Sequence, residues 1–174
     1  MLTTPRTRFS AVLAIVATAL GIGVAVATPA AATVTTSAPI AQAVLKLLNQ
    51  ERAANRLPAL KSNTALQRAA HSHNLAMDKH NTMSHQLPGE PPFYTRISNA
   101  GYKYSSCGEN IAWNSDVSQT GATNEETAMY NEKAPNNGHR LNILSKTFVD
   151  VGIDVVIDSS THKLWLTEDF GRHS

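Results

Sequence analysis

The chain has 174 residues, a hydrophobic fraction of 42% and a formal net charge of +2. Arg6 and Arg8 account for this excess, so residues 33–174 carry no net charge, and they contain no run of lysine or arginine. A nucleic-acid partner and an anionic membrane surface therefore have no electrostatic support as partners of this region.

Residues 1–32 have the pattern of a secretory signal peptide. Two arginines precede an apolar run over residues 11–27, and Pro29-Ala30-Ala31-Ala32 supplies the small residues that a signal peptidase cleaves after. A membrane anchor is the alternative, but this run is at the short end of the roughly 17–25 residues of a spanning helix. No basic stop-transfer cluster follows it. We therefore predict cleavage near Ala32, secretion, and no membrane span in the mature chain.

Apolar periodicity and turn residues predict one domain over residues 40–174, with helices early and a hairpin at the end. The expected elements are a flexible leader (33–39), a helix (39–55), a helix capped within 62–64 and running to 78, a short helix (93–100), a strand (102–113), a helix capped at Thr123 or Asn124 (124–133) and hairpin strands (149–158 and 163–170). This order predicts an α+β fold rather than a βαβ repeat.

Cys107 is the single cysteine of the sequence. A secreted chain with one thiol forms no internal disulfide, so packing must stabilise the fold. Cys107 can be interpreted as a nucleophile or as a small apolar residue within a strand. The second interpretation is favoured, because free cysteine is among the most buried residue types.

The candidate catalytic or metal-binding residues lie in short blocks rich in glycine and asparagine. Glu109 lies in Gly-Glu-Asn, Glu132 ends Tyr-Asn-Glu, His139 follows a glycine, and His85 ends Met-Ser-His. Two histidines with two carboxylates can form a metal site or an acid–base site. Ser84 next to His85 does not make a serine hydrolase, because the sequence has no Gly-x-Ser-x-Gly elbow.

The order of these blocks, with Gly101-Tyr102 and a closing hairpin ending Phe170-Gly171, resembles the CAP superfamily of cysteine-rich secretory, antigen 5 and pathogenesis-related proteins. The resemblance covers about residues 40–171 and is to the short, disulfide-free bacterial branch of SCP domains. It implies a three-layer α–β–α sandwich with a small antiparallel sheet between helices. It also implies one open cleft, containing the residues His85, Glu109, Glu132 and His139. Met129 departs from the family pattern, which has tryptophan at this position.

Three functions remain open for this cleft. The leading one is extracellular binding without catalysis by a monomer, with a divalent cation on His85 and His139 and a lipid, peptide or wall component as ligand. Imidazole favours zinc over magnesium or calcium. The second is a metal-assisted hydrolase of peptide or cell-wall substrates with Glu109 or Glu132 as general base, although the sequence has no His-Glu-x-x-His helix. The third is a structural cell-surface protein.

Other histidines and aromatic residues are expected to be structural. We interpret His71, His73 and His80 as exposed residues on the polar face of a helix rather than a second metal site. Arg140 is expected to anchor its loop to a carboxylate. The two tryptophans, Trp113 and Trp165, are expected in the core or at the rim of the cleft.

Overall fold

The computed structural model describes residues 33–174, so the predicted signal peptide lies outside the described residues. The helices and strands are β1 (Val34–Thr36), α1 (Ala38–Ala54), β2 (Lys61–Ser62), α2 (Thr64–His80), α3 (Phe93–Asn99), β3 (Tyr104–Asn114), α4 (Gln119–Tyr130), α5 (Gly138–Ile143), β4 (Asp150–Asp158) and β5 (Lys163–His173). The predicted α+β class and the late hairpin are confirmed.

One sheet runs through the centre of the domain in the order β1-β4-β5-β3. These neighbours are antiparallel, and the two-residue β2 adds a short parallel pair to β4. The β4–β5 hairpin sets Gly152 opposite Asp169 and Val156 opposite Trp165. Among residues 33–174, β3 pairs with β5 alone, so its other edge can meet loops and helices of this region.

Helices cover both faces of the sheet. Because successive strand side chains point to opposite faces, Val151, Ile153 and Val155 pack in one core cluster with residues of α1, α4 and α5. Val156 and Trp165 pack on the other face against α2. Each fully buried aliphatic side chain contributes roughly 1.5–3 kcal/mol. The predicted three-layer α–β–α sandwich is confirmed.

The N-terminal part of the domain differs from the prediction. Residues 33–39 were expected to form a flexible leader, but Val34–Thr36 pairs with residues 156–158 of β4. Ser37 continues this contact by donating its N–H to the carbonyl of Val155. The pairing joins segments that are more than a hundred residues apart, so local sequence patterns carried no sign of it.

The start of α4 was also predicted wrongly. The helix begins at Gln119 rather than Asn124, because the Ser118 side chain accepts the N–H of Thr120. Gly121 lies in the first turn, where an added Cβ would lie 1.9 Å from the carbonyl oxygen of Asp116. Glycine at this position therefore permits the close contact with the backbone of Asp116. Glu132 lies just beyond the helix, which ends at Tyr130.

Candidate functional site

The four predicted cleft residues come together at the free edge of β3, where the two helical layers meet. Glu109 belongs to β3, and His85 lies in the loop between α2 and α3. Glu132 follows α4, and His139 lies in the first turn of α5. They enclose a cleft of about 370 Å³, which is lined by His85, Glu109, Glu132, Asn136, Gly138, His139 and Asn142.

His85 and Glu109 form the pair on the α2 side of the cleft. His85 Nδ1 lies 2.8 Å from Glu109 Oε1. The His85 side chain is 53% exposed, whereas that of Glu109 is 1% exposed. The buried Arg96 donates to the other Glu109 oxygen, and it also donates to the backbone carbonyl of His85 at 3.0 Å. One guanidinium therefore holds both members of the pair.

His139 and Glu132 form the matching pair on the α4–α5 side. His139 Nδ1 lies 2.6 Å from Glu132 Oε1, and the His139 N–H donates to Glu132 Oε2 at 3.1 Å. The side chains are 31% and 24% exposed. The two histidines are thus held alike, each by a carboxylate on Nδ1.

Two asparagines connect α5 to the edge of β3. Asn142 donates through Nδ2 to the Glu109 carbonyl at 3.2 Å and to Asn110 Oδ1 at 2.9 Å. Asn110 donates to the His139 carbonyl at 3.3 Å. Gly108 permits this approach, since an added Cβ would lie 3.0 Å from Asn142 Oδ1. Gly-Glu-Asn and His-x-x-Asn therefore form one hydrogen-bonded floor.

The prediction that His73 is exposed was wrong, because its side chain is fully buried beneath the first pair. His73 Nδ1 lies 2.9 Å from Glu90 Oε1, and its Nε2 lies 4.0 Å from Glu109 Oε2. Asp169 is also fully buried here, and neither of its oxygens accepts a hydrogen bond from the described residues. Burial, followed by the charge of Glu109, raises the pKa of Asp169 well above its usual range.

Three buried carboxyl groups lie on the opposite face of the sheet, and sequence reasoning did not identify them. They are Glu51 of α1, Glu126 of α4 and Glu168 of β5. Burial raises the pKa of Glu51 to about 7 and raises those of Glu126 and Glu168. Both oxygens of Glu126 lack a hydrogen-bond donor when all three groups are ionised, and a retained proton supplies one.

Asn110 joins this acidic group to the cleft. Its Nδ2 donates to Glu168 Oε2 at 3.1 Å as well as to the His139 carbonyl. The sequence signal for Glu168 was a charged residue within the apolar run of the last strand, at a position facing the same side as Leu166 and Phe170.

The cleft continues into an apolar arm. A neighbouring cavity of about 230 Å³ shares Glu132 and His139 with the cleft. The rest of its wall is formed by Met83, Ile111, Ala112, Trp113, Glu125, Ala128 and Met129. Trp113 is 43% exposed at this rim, while Trp165 is buried in the core. A ligand can therefore span polar and apolar surface.

The arrangement of the two histidines suits a metal ion in part. In a neutral imidazole whose Nδ1 hydrogen bonds to a carboxylate, Nε2 keeps the lone pair that ligates. Both His85 and His139 have this arrangement. Within residues 33–174, no group of three or more His, Cys, Asp or Glu side chains is placed to hold a metal ion. A cation here would need water or a bound ligand to complete its coordination.

The other residues considered in the sequence analysis, Cys107, Ser84 and Arg140, do not line the cleft. Cys107 is half-buried in β3 against the cluster beneath α2 and α3, and burial raises the pKa of its thiol. Neither feature suits a nucleophile. Ser84 donates to the Gln86 carbonyl rather than to His85. The Arg140 side chain contacts the carbonyl and ring of Tyr130. Its backbone N–H lies 3.5 Å from Glu132 Oε2, but its side chain forms no ion pair with a carboxylate of residues 33–174.

Sequence comparison decides the family. The model of the CAP family, described as the cysteine-rich secretory protein family, matches residues 45–170. The chain belongs to the CAP family. The CAP domain thus covers every cleft residue and most of the sheet.

Protein YkwD of Bacillus subtilis (strain 168) is 30% identical over 145 residues, which cover 79% of this chain and 51% of that protein. The chain thus spans about half the length of this curated relative.

Solved structures share the CAP fold. An extracellular SCP-domain protein from Bacillus anthracis is 24% identical, with a TM-score of 0.64 over 75% of this chain and 39% of that chain. An outer surface protein from Borrelia burgdorferi is 12% identical, with a TM-score of 0.71 over 82% and 99%. A cysteine-rich secretory protein from Staphylococcus aureus is 18% identical, with a TM-score of 0.55 over 76% and 38%. Within residues 33–174, none of the helices has the length and apolar character needed to cross a membrane.

Proposed function

We propose that this CAP-family chain is an extracellular binding protein whose cleft holds a divalent cation, preferably zinc, between His85 and His139. The supporting observation is that a carboxylate occupies Nδ1 of each histidine and leaves Nε2 for the ion. Carboxylate–histidine pairs of this kind orient metal-binding imidazoles and increase their basicity. The extracellular and surface proteins that share the fold support a location outside the cell.

The ligand would lie across the cation and along the apolar arm beside Trp113. The polar cleft and this arm share Glu132 and His139, so one molecule can contact both. With two protein ligands, the cation keeps open positions for a polar group of the ligand. Binding of the cation and of the ligand would then reinforce each other.

The geometry favours binding over hydrolysis. A general base needs a free oxygen near the water it activates. Both Glu109 oxygens are engaged by His85 and Arg96, and Glu109 is 1% exposed. Both Glu132 oxygens accept hydrogen bonds from His139. Neither carboxylate is placed as a base in this arrangement.

Calorimetric titration with zinc at neutral pH tests the proposal. We expect saturable one-site binding to the protein and its loss in His85→Ala/His139→Ala. The matched control His80→Ala/His162→Asn removes two exposed histidines outside the cleft and should bind zinc like the parent chain. Asparagine is chosen because His162 has a φ of 50°. Zinc binding that survives in His85→Ala/His139→Ala would contradict the cation site. If this variant binds zinc like the parent chain and differs only in a lower melting temperature, the two histidines have a structural role.

A further inference from the structure

A second and larger cavity lies between α2 and the segment that leads into α3. It measures about 670 Å³, compared with about 370 Å³ for the cleft. We name it the α2–α3 groove, and its walls are formed by Arg68, Ala69, Ser72, Ala76, Lys79 and His80 on α2, by residues 87–91, and by Arg96, Asn99 and Ala100. None of the residues that line the cleft also lines this groove.

The groove has an excess of positive charge. Its one acidic residue, Glu90, is engaged internally, with Oε1 2.9 Å from His73 Nδ1 and Oε2 3.5 Å from Arg96 Nη1. Arg96 is in turn paired with Glu109. Arg68 and Lys79 form no ion pair within residues 33–174. Arg68 donates one bond to the Ala100 carbonyl at 2.8 Å, and this bond leaves its charge unbalanced.

The spacing of the two cations sets the length of a matching ligand. Arg68 and Lys79 are eleven positions apart on α2, which places them on one helical face and about 16 Å apart along the axis. An extended peptide rises about 3.3 Å per residue, so roughly five residues span this distance. Acidic side chains near the two ends of such a segment would meet the two cations.

The wall between the cations combines apolar and polar groups. The half-buried Ala76 and the exposed Pro88 and Pro91 offer apolar contacts, and the side-chain amide of Asn99 can bond to a peptide backbone. This mixture suits a peptide better than an alkyl chain, which would gain little beside polar groups. We propose that the α2–α3 groove binds an extended peptide segment with acidic side chains at both ends and apolar side chains between them.

Fluorescence anisotropy with a labelled pentapeptide that has glutamate at each end and three leucines between them tests this proposal. We expect saturable binding that weakens about tenfold in Arg68→Gln/Lys79→Gln and weakens with added salt. The control Arg172→Gln/Lys46→Gln makes the same charge change outside the groove, and Arg172 also donates to one backbone carbonyl. This control should bind like the parent chain. Arg96 is left intact because it also holds Glu109.

Equal weakening in both double variants would indicate a general charge effect and overturn the proposal, as would equal binding of a peptide with lysine in place of glutamate. Displacement by dodecanoate at lower concentration than by unlabelled peptide would assign the groove to an anionic amphiphile and overturn the peptide as occupant. Thermal melts of each variant confirm that the domain is folded. Zinc titration reports on the cleft separately, so failure of either proposal is distinguishable from failure of the other.

Discussion

Glu132 accepts two hydrogen bonds from His139, one from the backbone N–H and one from the ring. The distances are 3.1 Å to Oε2 and 2.6 Å to Oε1. The same carboxylate therefore fixes both the start of α5 and the orientation of the imidazole that faces the cleft. Removing its charge should weaken its hydrogen bond to the His139 ring while the fold survives.

We predict that Glu132→Gln weakens zinc binding about tenfold, because the carboxylate makes the imidazole a better ligand. Calorimetric titration at neutral pH measures this affinity. Glu125→Gln is the matched control, since Glu125 lines the apolar arm but accepts its hydrogen bond from Asn114. Equal zinc affinity in Glu132→Gln and the parent chain would count against the carboxylate–histidine arrangement.

Arg96→Met should lower the free energy of unfolding by about 3–5 kcal/mol, because it leaves the buried Glu109 without its cation. The Arg96 side chain is 5% exposed, and it also holds the carbonyls of His85 and Pro91. Urea denaturation measures the change. In the control Arg172→Met, which removes an exposed arginine, the change should stay within about 0.5 kcal/mol. Similar losses in both variants would refute this role of Arg96.

Because Glu51 and Glu126 are buried with raised pKa values, we predict that the free energy of unfolding falls as pH rises. An unfolded glutamate ionises near its ordinary pKa of about 4.3, whereas burial raises the pKa of Glu51 to about 7 and that of Glu126 well above its usual range. Between the unfolded and folded pKa values the native state holds more protons, so the free energy of unfolding decreases with pH. This contribution is fully present below the unfolded pKa and is lost as pH rises through the folded values.

Glu126→Gln keeps the shape of this group and cannot ionise. We therefore expect it to be more stable than the parent chain by about 1–3 kcal/mol at pH 8 and similar to it near pH 4. Thermal and urea denaturation across this pH range measure the difference. Glu125→Gln changes the neighbouring, less buried carboxylate and should not show this pH dependence. A Glu126→Gln effect that is the same at both pH values would contradict the buried-charge account.

Gly152→Ala should destabilise the contact between β4 and α2. An added Cβ at this position would lie 2.1 Å from the Gln67 nitrogen and 2.2 Å from the Leu66 carbonyl carbon. The backbones must move apart, so we expect a loss of about 1–3 kcal/mol in the free energy of unfolding. Gly138→Ala is the control, because nothing lies within 4 Å of its added Cβ. An unchanged urea midpoint for Gly152→Ala would show that α2 can move away at little cost.

The α+β class, the closing hairpin and the four residues of the cleft could be predicted from the sequence alone. Apolar periodicity reports which side chains share a face of a helix or strand. The short blocks around His85, Glu109, Glu132 and His139 could be matched to a family pattern in a fixed order. Local patterns of this kind can be recognised without knowing which distant segments of the chain are in contact.

Tertiary structure alone decided which polar residues are buried. His73 lies on the same helix as the exposed His80, but it is buried where Glu90 and Glu109 approach it from other segments of the chain. Glu168 is enclosed because α1 and α4 close over its face of the sheet with Glu51 and Glu126. Periodicity gives the direction of a side chain but not what covers it, so burial, raised pKa values and the pairing of β1 with β4 follow from contacts between distant segments.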